Sequence, residues 1–186
     1  LVNMLFRLYN VEDNTLFIDG YDIMHLPIRM VRDTIGYCPQ DNFLFSDSIR
    51  NNIAFSNPDM SLEEVEKAAE FADVRSNIEE FKDKYETLIG EKGVSLSGGQ
   101  KQRISIARAI VKDPKILVLD DSVSAVDVKT EETILHNIQK DRKGKTTILI
   151  ASRVSTVKAL DKIIVMNDGK VEAFGTHEEC LKNSKT

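Results

Sequence analysis

The residues Leu96-Ser97-Gly98-Gly99-Gln100 open a helical segment, and the apolar run that follows it, Ile116-Leu117-Val118-Leu119, ends in the carboxylates Asp120 and Asp121. A glycine loop at a helix start presents bare backbone N–H groups and the positive end of the helix dipole, and both favour an anion such as phosphate. A buried strand that delivers two carboxylates at its C-terminal end can hold a magnesium ion and a water. Together the two elements predict a nucleotide site.

Length and composition indicate one α/β unit with room for a subdomain. The 186 residues are 41% hydrophobic and 30% charged, ordinary values for a globular protein that is too short for two full domains. The net charge of −5 makes nucleic acid a poor partner. No apolar run approaches a membrane span, and residues 1–7 lack a signal-peptide design. Two cysteines far apart in sequence, Cys38 and Cys180, indicate a reducing, cytosolic compartment.

The spacing of apolar residues predicts strands and helices that alternate as in a mainly parallel sheet. Strands are predicted at 15–19, 34–38, 115–120, 146–150, 162–167 and 170–174, the last two joined by a tight turn at Asp168-Gly169. Helices are predicted at 1–9, 62–72, within 75–81, and at 98–112, 128–140 and 154–160. Capping boxes are predicted at 61–64 and at 176–179, where the second begins a short terminal helix. We therefore expect residues 1–40 and 112–186 to form parts of an α/β core, with the helical segment 41–111 inserted into it.

The signal around Gly98 extends well beyond a pair of glycines. A bare Ser-Gly-Gly is usually a helix N-cap followed by loop residues. Here, however, residues 96–109 read LSGGQKQRISIARA, which closely resembles the signature motif of ABC transporter nucleotide-binding domains. The resemblance covers essentially the whole chain and is closest to exporter-type domains. It implies a P-loop NTPase fold with a RecA-like core, an inserted helical subdomain, and ATP and Mg²⁺ as ligands.

Other landmarks follow in the order that the family has them. Gln40 resembles the Q-loop glutamine, which contacts the metal site, and Asp120 resembles the Walker B carboxylate on the magnesium side. Residues 90–93 resemble the exporter loop that touches transmembrane helices, residues 124–127 resemble the D-loop, and residues 151–156 lie where the switch-histidine loop belongs. The resemblance implies metal ligands at Gln40 and Asp120. The nucleotide-binding residues that it implies are Gln40, Ser97, Gly98, Gly99, Gln100 and Asp127.

One family motif has no counterpart in this sequence. Nothing in the 186 residues reads Gly-x-x-x-x-Gly-Lys-Ser/Thr. In the family that P-loop immediately precedes a helix much like the one predicted at 1–9, so the chain looks cut just after it. Its loss removes a backbone nest for phosphate, a lysine that reaches the phosphates and a hydroxyl that binds magnesium.

Two catalytic positions also depart from the family pattern. Asp121 stands where hydrolytic sites place glutamate, so the carboxylate is shortened by one methylene. A base misplaced by about 1 Å can lose on the order of a hundredfold in rate. Ser152 stands where the family usually places histidine, and serine has no imidazole to order the attacking water. Each change alone could be harmless variation, whereas both in one site favour a degenerate site.

The family's geometry makes such a defect asymmetric, because each ATP is sandwiched between the Walker motifs of one subunit and the signature of the other. The resemblance therefore implies a heterodimeric, multidrug-type bacterial exporter in which this chain mainly completes the partner's site. The further partner is the coupling helices of a transmembrane domain, which we expect to contact Phe43, Leu44 and Phe45 at the cytoplasmic face of the inner membrane. No nucleic acid is expected.

Two other functions stay open at this point. One is a regulatory module that holds nucleotide without hydrolysing it, a role that Asp121 and Ser152 would suit. The other is a soluble ABC ATPase acting on DNA or ribosomes, against which the acidic net charge and the exporter-like motif surroundings count.

The missing P-loop generates a first prediction. The 186-residue chain alone should bind ATP weakly or not at all, because the groups that cradle the phosphates are absent. Titration with a fluorescent ATP analogue, with and without magnesium, measures this. Tight, magnesium-dependent binding would contradict the expectation.

Overall fold

The computed structural model of the protein describes residues 2–90, 93–123 and 126–183. The resemblances assigned to Glu91 and Lys92, and to Ser124 and Ala125 of the D-loop, lie outside the described residues. No helix in the described ranges combines the length and the apolar character needed to cross a membrane.

A run of helices lies between the strands Ile35–Cys38 and Ile116–Asp120. The helices are α1 (Val2–Leu5), α2 (Ile28–Thr34), α3 (Ile49–Ile53), α4 (Leu62–Phe71), α5 (Arg75–Glu79), α6 (Gly98–Ile110), α7 (Val128–Asp141), α8 (Val154–Val157) and α9 (His177–Asn183), with a 3-10 turn at Lys84–Glu86. The strands are β1 (Phe17–Ile18), β2 (Tyr21–Asp22), β3 (Ile35–Cys38), β4 (Ile116–Asp120), β5 (Thr146–Ile150), β6 (Ile163–Asn167) and β7 (Lys170–Gly175).

A parallel sheet in the order β3-β4-β5 confirms the predicted α/β class. Cys38 pairs with Leu119, and Leu119 pairs with Leu149, so the carboxyl ends of the strands lie side by side. In a parallel sheet this edge is where ligands bind. The register therefore brings the residues that follow β3 and β4 to one edge of the sheet.

Helix α6 packs against β3 and β4 on one side and against α3 and α4 on the other. Its apolar face is fully buried at Ile104, Ile106 and Ala107. Gly36 in β3 allows the closest approach, because a Cβ there would collide with the Ala109 carbonyl oxygen and with Pro114 Cγ. The missing side chain is what lets the backbone of α6 lie directly on the strand.

Two compact units divide the chain, residues 1–150 and residues 151–186. The second contains α8, the antiparallel pair β6–β7 and α9. Its turn at Asp168-Gly169 has positive φ at both residues, 47° and 74°, as predicted for a two-residue hairpin. The capping boxes predicted at 61–64 and 176–179 are both confirmed.

The predicted helix at 1–9 is wrong beyond Leu5. Arg7 adopts φ 50°, and the Leu8 N–H donates to the Asn3 carbonyl while the Arg7 N–H donates to Met4, the bonding pattern of a Schellman C-terminus. The Arg7 guanidinium also donates to the Leu26 carbonyl at 2.8 Å, a tertiary bond that apolar periodicity cannot foresee. Helix α8 likewise stops at Val157, short of the predicted 160, and α2, α3 and β2 were not predicted.

The close packing at Gly36 makes a second prediction. Gly36→Ala should destabilise the chain by about 1–3 kcal/mol, because the strand and the helix must separate to admit a methyl group. Gly98→Ala is the matched control, since a Cβ on Gly98 meets no atom within 4 Å. Urea unfolding monitored by circular dichroism compares the two. Equal midpoints for both variants would contradict the packing argument.

Candidate functional site

Ser97 caps α6 through a reciprocal capping box. Its Oγ accepts a hydrogen bond from the Gln100 backbone N–H at 3.2 Å, and Gln100 Oε1 accepts one from the Ser97 N–H at 2.9 Å. The first N–H groups of a helix have no partners within it. Because the box satisfies two of them, and no hydrogen bond among the described residues uses those of Gly98 and Gly99, these two N–H groups are available to an anion. The Ser97 hydroxyl proton is available too.

The surroundings of Gly98 fit a close ligand approach. Glycine at this position is not required by packing, since the space where a Cβ would stand is open. Glycine is favoured where a backbone must come close to a ligand. The tetrad Ser97–Gln100 is thus a fixed helix start with open space beside Gly98.

A second group of polar side chains lies where β3 and β4 end. Gln40 Nε2 lies 3.4 Å from Asp121 Oδ2, and the Tyr37 hydroxyl donates to Asp120 Oδ2 at 3.3 Å. Burial and the neighbouring Asp120 carboxylate raise the pKa of Tyr37, which favours the protonated hydroxyl that donates to Asp120. The structure thus brings Gln40 together with Asp121. Tyr37, on β3, orients the Asp120 carboxylate at the end of β4.

Asp121 has an unusual backbone conformation. Its φ is 47°, in the left-handed region, and its N–H donates to the Ile150 carbonyl at the end of β5. Aspartate tolerates this region better than longer side chains, because its short carboxylate can bond locally. The left-handed backbone conformation directly after β4 therefore suits an aspartate at position 121.

Asp127 serves as the N-cap of α7. Its carboxylate accepts from the Thr130 N–H at 3.1 Å and from the Thr130 hydroxyl at 2.8 Å, and these bonds lower the pKa of Asp127. Sequence reasoning placed this residue in the D-loop and among the nucleotide-binding residues without foreseeing the cap. Its side chain is exposed, as a surface contact would need.

Ser152 lies in the unit formed by residues 151–186, just before α8. It is exposed to solvent.

Three phenylalanines form an exposed cluster, the aromatic patch, which consists of Phe43, Phe45 and Phe55. Phe45 stacks on Phe55 with ring centroids 4.4 Å apart, and Phe43 meets Phe45 edge-on at 5.0 Å. Phe43 and Phe55 are 66% and 56% exposed, whereas Leu44 packs against the core. The patch thus exposes clustered aromatic surface to solvent, and clustered exposed apolar surface marks interaction sites.

Sequence reasoning missed Phe55 and Arg108. The Arg108 guanidinium lies 5.5 Å from the Phe45 ring centroid and 5.9 Å from that of Phe55. Apolar periodicity gave no sign of Phe55, because it follows a short helix. Arg108 was visible within the run 96–109, and an arginine amid the apolar face of a helix is a usable signal for a buried polar contact.

Comparison with known proteins relates the sequence to one family. The sequence model of the ABC transporter family matches residues 1–124. The chain is 46% identical over 181 residues to the ATP-binding/permease protein YgaD of Bacillus subtilis, with 97% of this chain and 31% of that protein covered. It is 47% identical to the leukotoxin translocation ATP-binding protein LktB of Mannheimia glucosida, with 99% of this chain and 26% of that protein covered.

A solved structure gives the same result. A bacterial Atm1-family ABC exporter with ATP bound superposes with a TM-score of 0.91 at 40% identity, with 97% of this chain and 32% of that chain covered. The chain therefore spans between a quarter and a third of the length of these relatives.

Proposed function

This chain belongs to the ABC transporter family, as an exporter's ATP-binding part, and we propose that it binds ATP and Mg²⁺ and hydrolyses ATP as part of the complete transporter. The observation that carries the proposal is the start of α6, where the capping box leaves the Gly98 and Gly99 N–H groups without a hydrogen-bond partner among the described residues and the space beside Gly98 is open. Such a helix start suits a triphosphate.

The triphosphate in this proposal is cradled mainly by the P-loop of a second nucleotide-binding domain. Ser97–Gln100 closes on it from this chain, so that the partner's site is completed here. The capping box supports this role, because Ser97 and Gln100 are fixed before any ligand arrives and little ordering cost remains. Asp127 in the D-loop would meet the same partner.

The edge formed by Gln40, Asp120 and Asp121 has the donor set of a magnesium site, since carboxylate and amide oxygens suit a hard cation. Asp120 and Gln40 would hold the ion, which would neutralise phosphate charge during transfer. Tyr37 would keep Asp120 oriented through its 3.3 Å hydrogen bond.

This chain's own site is proposed to be degenerate. The Asp121 carboxylate is one methylene shorter than the family's glutamate, and the Gln40 amide lies beside it at 3.4 Å. Ser152 can neither take up a proton as imidazole does nor carry positive charge. The two nucleotide-binding domains would thus form a heterodimer with one competent ATP site. The signature of this chain would complete that site.

The relatives support a transmembrane part, since one is named as an ATP-binding/permease protein and another as an ABC exporter. We propose that residues 41–111 form the inserted helical subdomain and that the aromatic patch docks coupling helices of a transmembrane domain. The domain would then lie at the cytoplasmic face of the inner membrane. Exposed phenyl rings beside the guanidinium of Arg108 support such an interface.

A second candidate is a regulatory module that binds nucleotide without hydrolysis. The identities of Asp121 and Ser152 favour it for this chain's own site. Turnover by the complete pair separates the two, since a purely regulatory pair would bind ATP and not hydrolyse it. A soluble ATPase acting on nucleic acid or ribosomes is the weakest reading, given the net charge of −5.

The asymmetric site leads to a third prediction. In the complete transporter, Ser97→Ala should lower ATP hydrolysis by about a hundredfold or more, the effect of losing a preorganised donor to a charged transition state. Asp121→Asn should leave most of the hydrolysis, because the partner's glutamate does the work. Steady-state phosphate release measures both variants.

A control separates the lost cap from the lost ligand contact. Ser61→Ala removes the same kind of capping box at the start of α4 and should cost about 1 kcal/mol in stability, as Ser97→Ala should. Hydrolysis by Ser61→Ala should stay near the wild-type rate. Equal damage from Asp121→Asn and Ser97→Ala would argue against the asymmetric site.

The aromatic patch leads to a fourth prediction. Phe45→Asp should lower ATP-driven uptake into inverted membrane vesicles by about tenfold, the effect of losing one interface anchor, while binding of a fluorescent ATP analogue persists. Phe17→Asp is the matched control, because Phe17 is 48% exposed and lies on β1 rather than in the patch. Unchanged uptake in Phe45→Asp would count against docking at the patch.

A further inference from the structure

Arg108 holds the segment that carries the aromatic patch. Its Nη1 donates to the Phe43 carbonyl at 2.8 Å, its Nε to the Asn52 carbonyl at 2.7 Å and its Nη2 to Asn52 Oδ1 at 2.8 Å. No carboxylate in the described ranges forms an ion pair with Arg108. The guanidinium is therefore committed to neutral oxygens of the loop at 43–45 and of helix α3.

Asn52 extends this contact to the other side of the loop. It is fully buried, its Oδ1 accepts from the Phe45 N–H at 2.8 Å, and its Nδ2 donates to the Phe45 carbonyl at 3.0 Å. The Asn52 Oδ1 atom therefore accepts from both the Arg108 guanidinium and the Phe45 N–H. Together the two side chains hold the backbone on both sides of Leu44. The rings of Phe45 and Phe55 then lie beside the guanidinium.

The same helix begins at the signature. Ser97 caps α6, and Arg108 lies eleven residues further on, within the thirteen-residue helix Gly98–Ile110. An α-helix rises about 1.5 Å per residue, so about 16 Å of hydrogen-bonded rod joins the two positions. A rod buried along one face transmits a displacement of one end to the other with little bending.

We propose that Arg108 is a positioning residue that links the aromatic patch to Ser97–Gln100 through α6. It rests on the proposed function, in which the patch docks a transmembrane domain and the tetrad meets ATP. A shift of the docked partner would move the loop 43–45, and the three hydrogen bonds of Arg108 would carry the shift into the helix. Lysine cannot replace it, because a single ammonium cannot hold three divergent oxygens in a planar fork.

The test uses the full-length transporter in lipid nanodiscs, with spin labels on the transmembrane helices. Adding AMP-PNP and Mg²⁺ should shift the transmembrane distance distribution in the wild type. In Arg108→Lys the coupling factor of this shift should fall about fivefold, while the affinity for a fluorescent ATP analogue changes less than about twofold. A change of affinity alone would overturn the proposal.

Arg142→Lys is the matched control. Arg142 is buried, whereas Arg108 is half-buried, and it likewise donates to neutral oxygens, those of Pro114, Thr146 and Thr147, none of which belongs to the patch. Both variants should lose thermal stability, but only Arg108→Lys should lose coupling. If both lose coupling equally, or neither does, Arg108 has only a structural role. A wild type that shows no shift with AMP-PNP would instead refute the proposed function itself.

A measurement on the wild type decides the matter even if Arg108→Lys fails to assemble. The Phe45 N–H bonds Asn52 Oδ1, so its hydrogen exchange reports the state of the loop. On adding AMP-PNP and Mg²⁺, exchange at 43–45 and at 97–100 should slow together. Protection confined to 97–100 would overturn the proposal.

Discussion

The direct contact between α6 and β3 is the constraint on which the other features depend. Glycine at position 36 lets the helix backbone lie against the strand, where a methyl group would meet the Ala109 carbonyl. With the helix in this place, its buried face completes the core that also includes α3 and α4. The two ends of the helix are then fixed, one at the signature tetrad and the other beside the aromatic patch.

This arrangement separates the roles of neighbouring residues. Ser97 and Gln100 satisfy each other, which leaves the glycine N–H groups to a ligand, whereas Gln40, Asp120 and Asp121 gather at the strand ends through the parallel register. Under the proposed function, the signature and the Walker B strand of one chain need not serve one nucleotide. Under the proposed asymmetry, the intact helix start works for the partner and the altered carboxylate edge serves this chain.

The sequence was sufficient for features set by local chemistry. The strands at β3, β4 and β5, the capping boxes and the hairpin at Asp168-Gly169 follow from periodicity, side-chain oxygens and positive φ, all properties of a few adjacent residues. Sequence reasoning failed where contacts between residues far apart in the chain determine the structure. Where α1 ends, the Arg7 guanidinium bonds the distant Leu26 carbonyl, and the backbone that carries the patch is held by Arg108 from more than fifty positions away.

The most direct test of the central claim is a structure of the complete transporter with ATP bound. The account predicts that the Ser97 hydroxyl and the Gly98 and Gly99 N–H groups lie within hydrogen-bonding distance of the γ-phosphate of an ATP cradled by the other nucleotide-binding domain. A structure in which the tetrad lies far from every bound nucleotide would contradict it.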